Sequence, residues 1–189
     1  MNRAVRIWWS MIGTLVLLLG AATTAAAQRT ATTTVIVVRH AEKEATPPDD
    51  PPLSAAGQAR ARALLDALRD AGVNAVITTQ FARTRQTAAP LATALHLTPQ
   101  VVATPSPTNM QAVAAAVRRH AGGVVLVVGH GNTVPAIVAA LGAKQPPPIC
   151  DAEYDALFVV TVPAHGKATV VKARYGAASP VTATCGAMK

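Results

Sequence analysis

The chain has 189 residues, 51% of them apolar and only 3% aromatic, with 17 Lys and Arg against 9 Asp and Glu and a formal charge of +8. That is enough apolar chain for one domain with a core of Ala, Val, Leu and Ile, and it excludes a disordered chain. The basic balance suits an anionic partner, but so few aromatic residues cannot supply stacking platforms for bases, which excludes a general nucleic-acid binder.

Arg3 and Arg6 open the chain, an apolar run over 7–21 is broken only by Ser10, Gly13, Thr14 and Gly20, and Ala25, Ala26 and Ala27 precede Gln28. Charged, apolar and small residues in that order predict a secretory signal peptide over 1–27 and a folded domain over 28–189. An uncleaved anchor is the alternative, which the short apolar run disfavours. The expectation is export to the periplasm or the outside, with no stable membrane association after cleavage. Arg3 and Arg6 are not adjacent, as a twin-arginine signal requires, and no cysteine stands near the cut for a lipid anchor.

Val35, Ile36, Val37 and Val38 run directly into Arg39 and His40. Four apolar, mostly β-branched residues predict a strand buried on both faces that delivers a cation and an imidazole at its C-terminal end. A strand end ion-paired to a neighbouring carboxylate is the alternative. Residues 45–52 hold four prolines and two aspartates, which predicts a loop. A helix starts at Leu53 to Gly57 with Ser54 as its N-cap, carries Leu64, Leu65 and Leu68, and stops at Gly72. A second strand is predicted over 75–78, then a helix carrying Leu91 and Leu95 with Pro90 inside it, and a third strand over 99–103. A helix over 109–120 and a strand over 123–128 follow, ending in Gly129, His130 and Gly131. Asn132 and Thr133 are candidate caps for the next helix, which runs through Ile137, Val138 and Leu141. After three prolines at 146–148, a hairpin is predicted over 157–162 and 169–173.

Cys150 and Cys185 flank this hairpin at nearly constant index sum, so a disulfide between them is geometrically reasonable in an oxidising compartment; two free thiols are the alternative. Strand and helix alternating four times before a hairpin predict an α/β fold, a three-layer α/β/α sandwich with a mainly parallel mixed sheet of about six strands. Arg60, Arg62, Arg69, Arg118 and Arg119 read as helix-surface charges.

Two buried-type strands thus end in histidine, and parallel strands place their C-terminal ends on one edge of the sheet, where ligands bind. Arg39, His40, Arg83 and His130 therefore predict a pocket for a phosphate dianion. Arg85 is the runner-up for the second arginine, although a solvated helix face suits it better. No Asp, Glu or Cys completes a ligand set around the two histidines, so no metal and no other cofactor is expected.

These residues resemble the histidine phosphatase superfamily, the phosphoglycerate-mutase-like fold, in its short single-domain bacterial branch. Four motifs carry the likeness in order: Arg39 and His40 after the first strand; Leu53, Ser54 and Gly57 at a helix start; Thr79, in the place of a serine, with Arg83, Gln86, Thr87 and Ala88; and Gly129 with His130. The resemblance implies a phosphatase, a histidine acid phosphatase-like phosphoric monoester hydrolase acting on a phosphorylated small molecule. In it His40 attacks phosphorus to form a phosphohistidine, while Arg39, Arg83 and a protonated His130 hold the equatorial oxygens. It also implies a fifth strand antiparallel to the others.

The chain departs from the family where a general acid is usual. Residues 103–111 hold no acid, and Gly131 follows the second histidine. Glu42 and Asp155, and behind them Glu153, are the remaining candidates; Glu42 paired with an arginine and Asp155 capping a loop are the alternatives. A phosphatase acting on good leaving groups, phosphoramidates included, needs no strong acid. A non-catalytic phospho-ligand binding domain of the same fold is the rival reading, and phosphoglycerate-mutase-type transfer is less favoured. The oligomeric state is not legible.

Overall fold

The computed structural model describes residues 31–103 and 109–180. The predicted signal peptide and Cys185 lie outside the described residues. Strands β1 (Thr33–Arg39), β2 (Val73–Thr78), β3 (Gln100–Val101), β4 (Val124–Gly129), β5 (Ala156–Val162) and β6 (Thr169–Arg174) form one sheet in the order β3-β2-β4-β1-β5-β6. The pairs from β3 to β1 are parallel, and the β1–β5 and β5–β6 pairs are antiparallel, so β5 alone runs against the other strands. Helices α1 (Ala55–Leu68), α2 (Ala82–Ala94), α3 (Asn109–Arg118) and α4 (Val134–Ala140) cover the two faces. The three-layer α/β/α sandwich with a mainly parallel mixed sheet is therefore the fold.

The valine run of β1 shows why the chain takes this form. Val35 and Val37 face a core with Val113 and Val117 of α3 and Ile137 and Val138 of α4. Ile36 and Val38 face the opposite core, with Leu64 and Leu68 of α1 and Leu91 of α2. Alternate residues of one strand thus bury against different helix layers, each side chain contributing about 1.5–3 kcal/mol, and a slip of one residue would exchange the two cores.

Local chemistry sets the helix entries. Ser54 caps α1 by accepting from the Gly57 amide at 3.2 Å, while its own amide donates to Glu42 O. Gly57 is required there, since a Cβ at this position would lie 2.0 Å from Glu42 O. The close approach presses the start of α1 onto the loop that leaves His40.

Three expectations are corrected. The third strand is only Gln100–Val101, because Val101 lies half exposed on the sheet edge and little burial rewards a longer strand. The helix expected over 109–120 closes at Arg118 as Arg119 and His120 turn back on Ala116 and Val117. Arg60 is not a surface charge: it is 5% exposed and gives Nε and Nη2 to Glu42 and Nη1 to Tyr175 O and Ala177 O.

Candidate active site

Register brings the two histidines together. In the β1 and β4 ladder Arg39 stands opposite Gly129, the His40 amide donates to Gly129 O at 2.9 Å, and the next residue of each strand is a histidine. The His40 and His130 ring centroids are 5.3 Å apart. A side chain at position 129 would press on Thr133 Oγ1 and Ile137 Cδ1, so glycine lets α4 close against the end of β4.

His40 is 4% exposed, and its Nδ1 lies 2.8 Å from Ala41 O. A carbonyl only accepts, so Nδ1 carries the hydrogen and the neutral ring keeps a free lone pair on Nε2. Burial pushes the His40 pKa down to about 3, and the charges of Arg39, His130 and Arg83 push the same way. The ring is therefore neutral near pH 7, as a nitrogen nucleophile requires.

The backbone after His40 is held from α2. The Ala41 amide donates to Thr87 Oγ1, Thr87 Oγ1 donates to Arg83 O, and Gln86 Oε1 accepts from the Leu53 amide. The Gln and Thr of the third motif thus hold the histidine loop.

Arg39 Nη1 donates to the carbonyls of Cys150, Asp151 and Glu153, which docks this loop beside the site, and its guanidinium lies 4.1 Å from the Tyr154 ring centre. Arg83 lies 4.2 Å from the Phe81 ring and 3.7 Å from Asp50. Asp50 Oδ1 also accepts from the Ala82 amide, so one residue of the proline-rich loop both orients Arg83 and ties down the start of α2. The Nε atoms of both arginines are buried with no hydrogen-bond partner among the described residues. Such a donor costs about 1–3 kcal/mol, which an anion seated between the guanidiniums would recover.

His130 is half-buried, with Nε2 3.2 Å from Thr79 Oγ1, and Thr79 Oγ1 is 2.9 Å from Thr84 Oγ1. Burial, then the charges of Arg83 and Arg39, lower its pKa to about 4. In the unliganded protein these two cations disfavour a third charge on His130. A bound phosphate dianion reverses the sign of that local field and favours the imidazolium.

The acid candidates are elsewhere engaged. Glu42 gives both oxygens to Arg60. Asp155 is 1% exposed and accepts from Arg174 Nη1 and the Ser179 amide, and Glu153 pairs with Lys172 at 2.7 Å. Arg85 is exposed on α2, and Asn132 is exposed before α4. Thr133 precedes α4, but its Oγ1 accepts from the His130 amide and makes no cap bond to the helix. No group of three or more metal-ligating side chains occurs among the described residues. Sequence reasoning missed Asp50 and Tyr154, whose partners Arg83 and Arg39 lie far away in the chain, and Phe81, which stacks on nearby Arg83 but meets His130 only through the fold.

Residues 35–104, which span the first three motifs, match the family model of the histidine phosphatase superfamily, branch 1. A Nakamurella multipartitia protein assigned as the phosphohistidine phosphatase SixA is 26% identical, over 77% of this chain and 98% of its own, with a TM-score of 0.58. Over residues 35–104 the chain is similar to the histidine phosphatase superfamily, and its fold is the one this neighbour takes. Two further structures share the superfamily fold. They are a protein histidine phosphatase SixA complexed with tungstate (21% identity, 75% and 96% coverage, TM-score 0.58) and an Escherichia coli K-12 protein assigned as an alpha-ribazole-5'-P phosphatase (15%, 79% and 99%, 0.59). No curated protein matches the sequence significantly.

Proposed function

We propose that this protein is a phosphatase that hydrolyses phosphate monoesters and phosphoramidates through a phosphohistidine on His40. The observation that carries the reading is a neutral His40 whose Nδ1–H is fixed on Ala41 O, beside two buried arginine Nε donors that have no partner among the described residues. Phosphate oxygens would take the free N–H groups of Arg39 and Arg83, and the dianion would favour a protonated His130 as a third donor.

His40 Nε2 then forms a bond to phosphorus as the bond to the leaving atom breaks. Water attacks the phosphohistidine, the P–N bond breaks, and inorganic phosphate and neutral His40 result. Glu42, Asp155 and Glu153 are held in ion pairs, so the scheme favours leaving groups that depart without a strong acid. The imidazole of a phosphohistidine is one, and the likeness to a protein assigned as a phosphohistidine phosphatase supports that substrate class.

The test is phosphate release from an aryl phosphate and from phosphoimidazole, without added metal, by the wild type and by His40→Ala. Turnover that vanishes in the variant is expected. Full turnover in His40→Ala would overturn the reading, and phosphate binding without turnover in the wild type would favour the binding-domain alternative.

A further inference from the structure

Among the described residues, two aromatic side chains flank the histidine pair. The ring centroids run Tyr154 to His40 at 6.2 Å, His40 to His130 at 5.3 Å and His130 to Phe81 at 5.5 Å. The chain has only 2 Phe and 2 Tyr, so half of them stand at this site, while Phe158 and Tyr175 are buried in the core. Phe81 and Tyr154 are both left half-buried, although a core position would reward an aromatic ring more fully. Each carries an arginine on its ring, Arg83 at 4.2 Å and Arg39 at 4.1 Å. That stacking fixes the rings, and a wall fixed in advance costs little entropy to use.

We propose that Phe81 and Tyr154 are specificity-determining residues, aromatic walls that receive a planar leaving group, an imidazole or aryl ring, in preference to an alkyl chain. The proposal rests on the phosphatase reading and adds to it the residues that select the substrate. In-line displacement puts the leaving atom on the far side of phosphorus from His40 Nε2. His40 is nearly fully buried, so the leaving group points outward, to the level where the two half-buried rings stand. Leaving-group chemistry gives the same answer independently. The carboxylates of Glu42, Asp155 and Glu153 are consumed in ion pairs, and that of Asp50 accepts from Ala82 beside Arg83. An alkoxide leaving group needs a proton that imidazole and phenol leaving groups need less.

The experiment compares binding of phenylphosphonate and methylphosphonate, which share the phosphoryl group and cannot be hydrolysed, to the full folded domain and to Phe81→Leu, Tyr154→Leu and Tyr154→Phe. Ring contacts are worth about 2- to 10-fold in affinity. The wild type should prefer phenylphosphonate. Each leucine variant should lose about 5-fold of that preference while methylphosphonate affinity changes by less than about 3-fold, and Tyr154→Phe should keep the preference. The kcat/KM ratio for phosphoimidazole over glycerol phosphate should fall in parallel. Equal affinity of the wild type for both phosphonates would overturn the proposal, as would equal weakening of both in the leucine variants, since the rings would then only support the arginines. A wild type that discriminates the phosphonates but never forms a phosphohistidine would sink the phosphatase reading and leave the walls standing. A phosphohistidine with no phosphonate preference would sink the walls alone.

Discussion

Acidification should destabilise this protein in a way that its two site histidines explain. The folded-state pKa of His40 is about 3 and that of His130 about 4, both below the ordinary value of 6.5. A group with a depressed folded pKa binds fewer protons folded than unfolded, so the unfolded state gains as pH falls below about 6.5. At about pH 5 the unfolded imidazoles are almost fully protonated and the folded ones almost fully neutral, which costs about 2 kcal/mol per histidine relative to about pH 7.5. The sum, about 4 kcal/mol, is a large part of the stability of a domain this size. Urea unfolding followed by circular dichroism at the two pH values measures it directly. The wild type should lose about 4 kcal/mol more than the double variant His40→Asn/His130→Asn, and saturating phosphate should reduce the difference by stabilising the charged His130. An identical pH slope in the double variant would refute the reasoning, because the titrating groups would then lie elsewhere.

Two further outcomes are expected. Glu42→Gln leaves Arg60 buried without its anionic partner, so urea unfolding should show a loss of about 2 kcal/mol while kcat stays within about threefold; a collapse of kcat in a folded variant would make Glu42 the acid. If the full chain expressed in a bacterium is exported as the sequence reading expects, mass spectrometry should find Gln28 at the N-terminus and, without reductant, a mass lacking the thiol hydrogens of Cys150 and Cys185. An intact N-terminus or free thiols would contradict the sequence reading of the compartment.

The sheet was largely legible because its signal is local. A run such as Val35 to Val38 can be buried on both faces only in a covered sheet, and parallel strands then bring His40 and His130 to one edge whatever their separation in the chain. What stayed hidden depends on partners distant in sequence. Arg60 falls on the buried stripe of α1 with Gly57, Ala61 and Leu64, but an arginine reads as surface charge, and only the fold shows that Glu42, 18 residues earlier, and the carbonyls after β6 enclose it. Asp50 is one of two aspartates in a proline-rich loop, with no local mark to show which would meet Arg83. Tyr154 reaches the site because Arg39 gathers three carbonyls of the loop before β5, more than 100 residues away in the chain. The acid candidates show the same limit, since their spacing allowed a role that their ion pairs take up.

The central claim is that His40 carries the phosphoryl group, and the most direct measurement is to trap it. The protein should be mixed with excess aryl phosphate, quenched rapidly in alkali, which preserves phosphohistidine, digested, and the peptide holding His40 examined by mass spectrometry. The account predicts a phosphoryl group on His40 that acid removes and that is absent from His40→Ala. A phosphoryl group found only on another residue, or turnover that continues in His40→Ala, would contradict it.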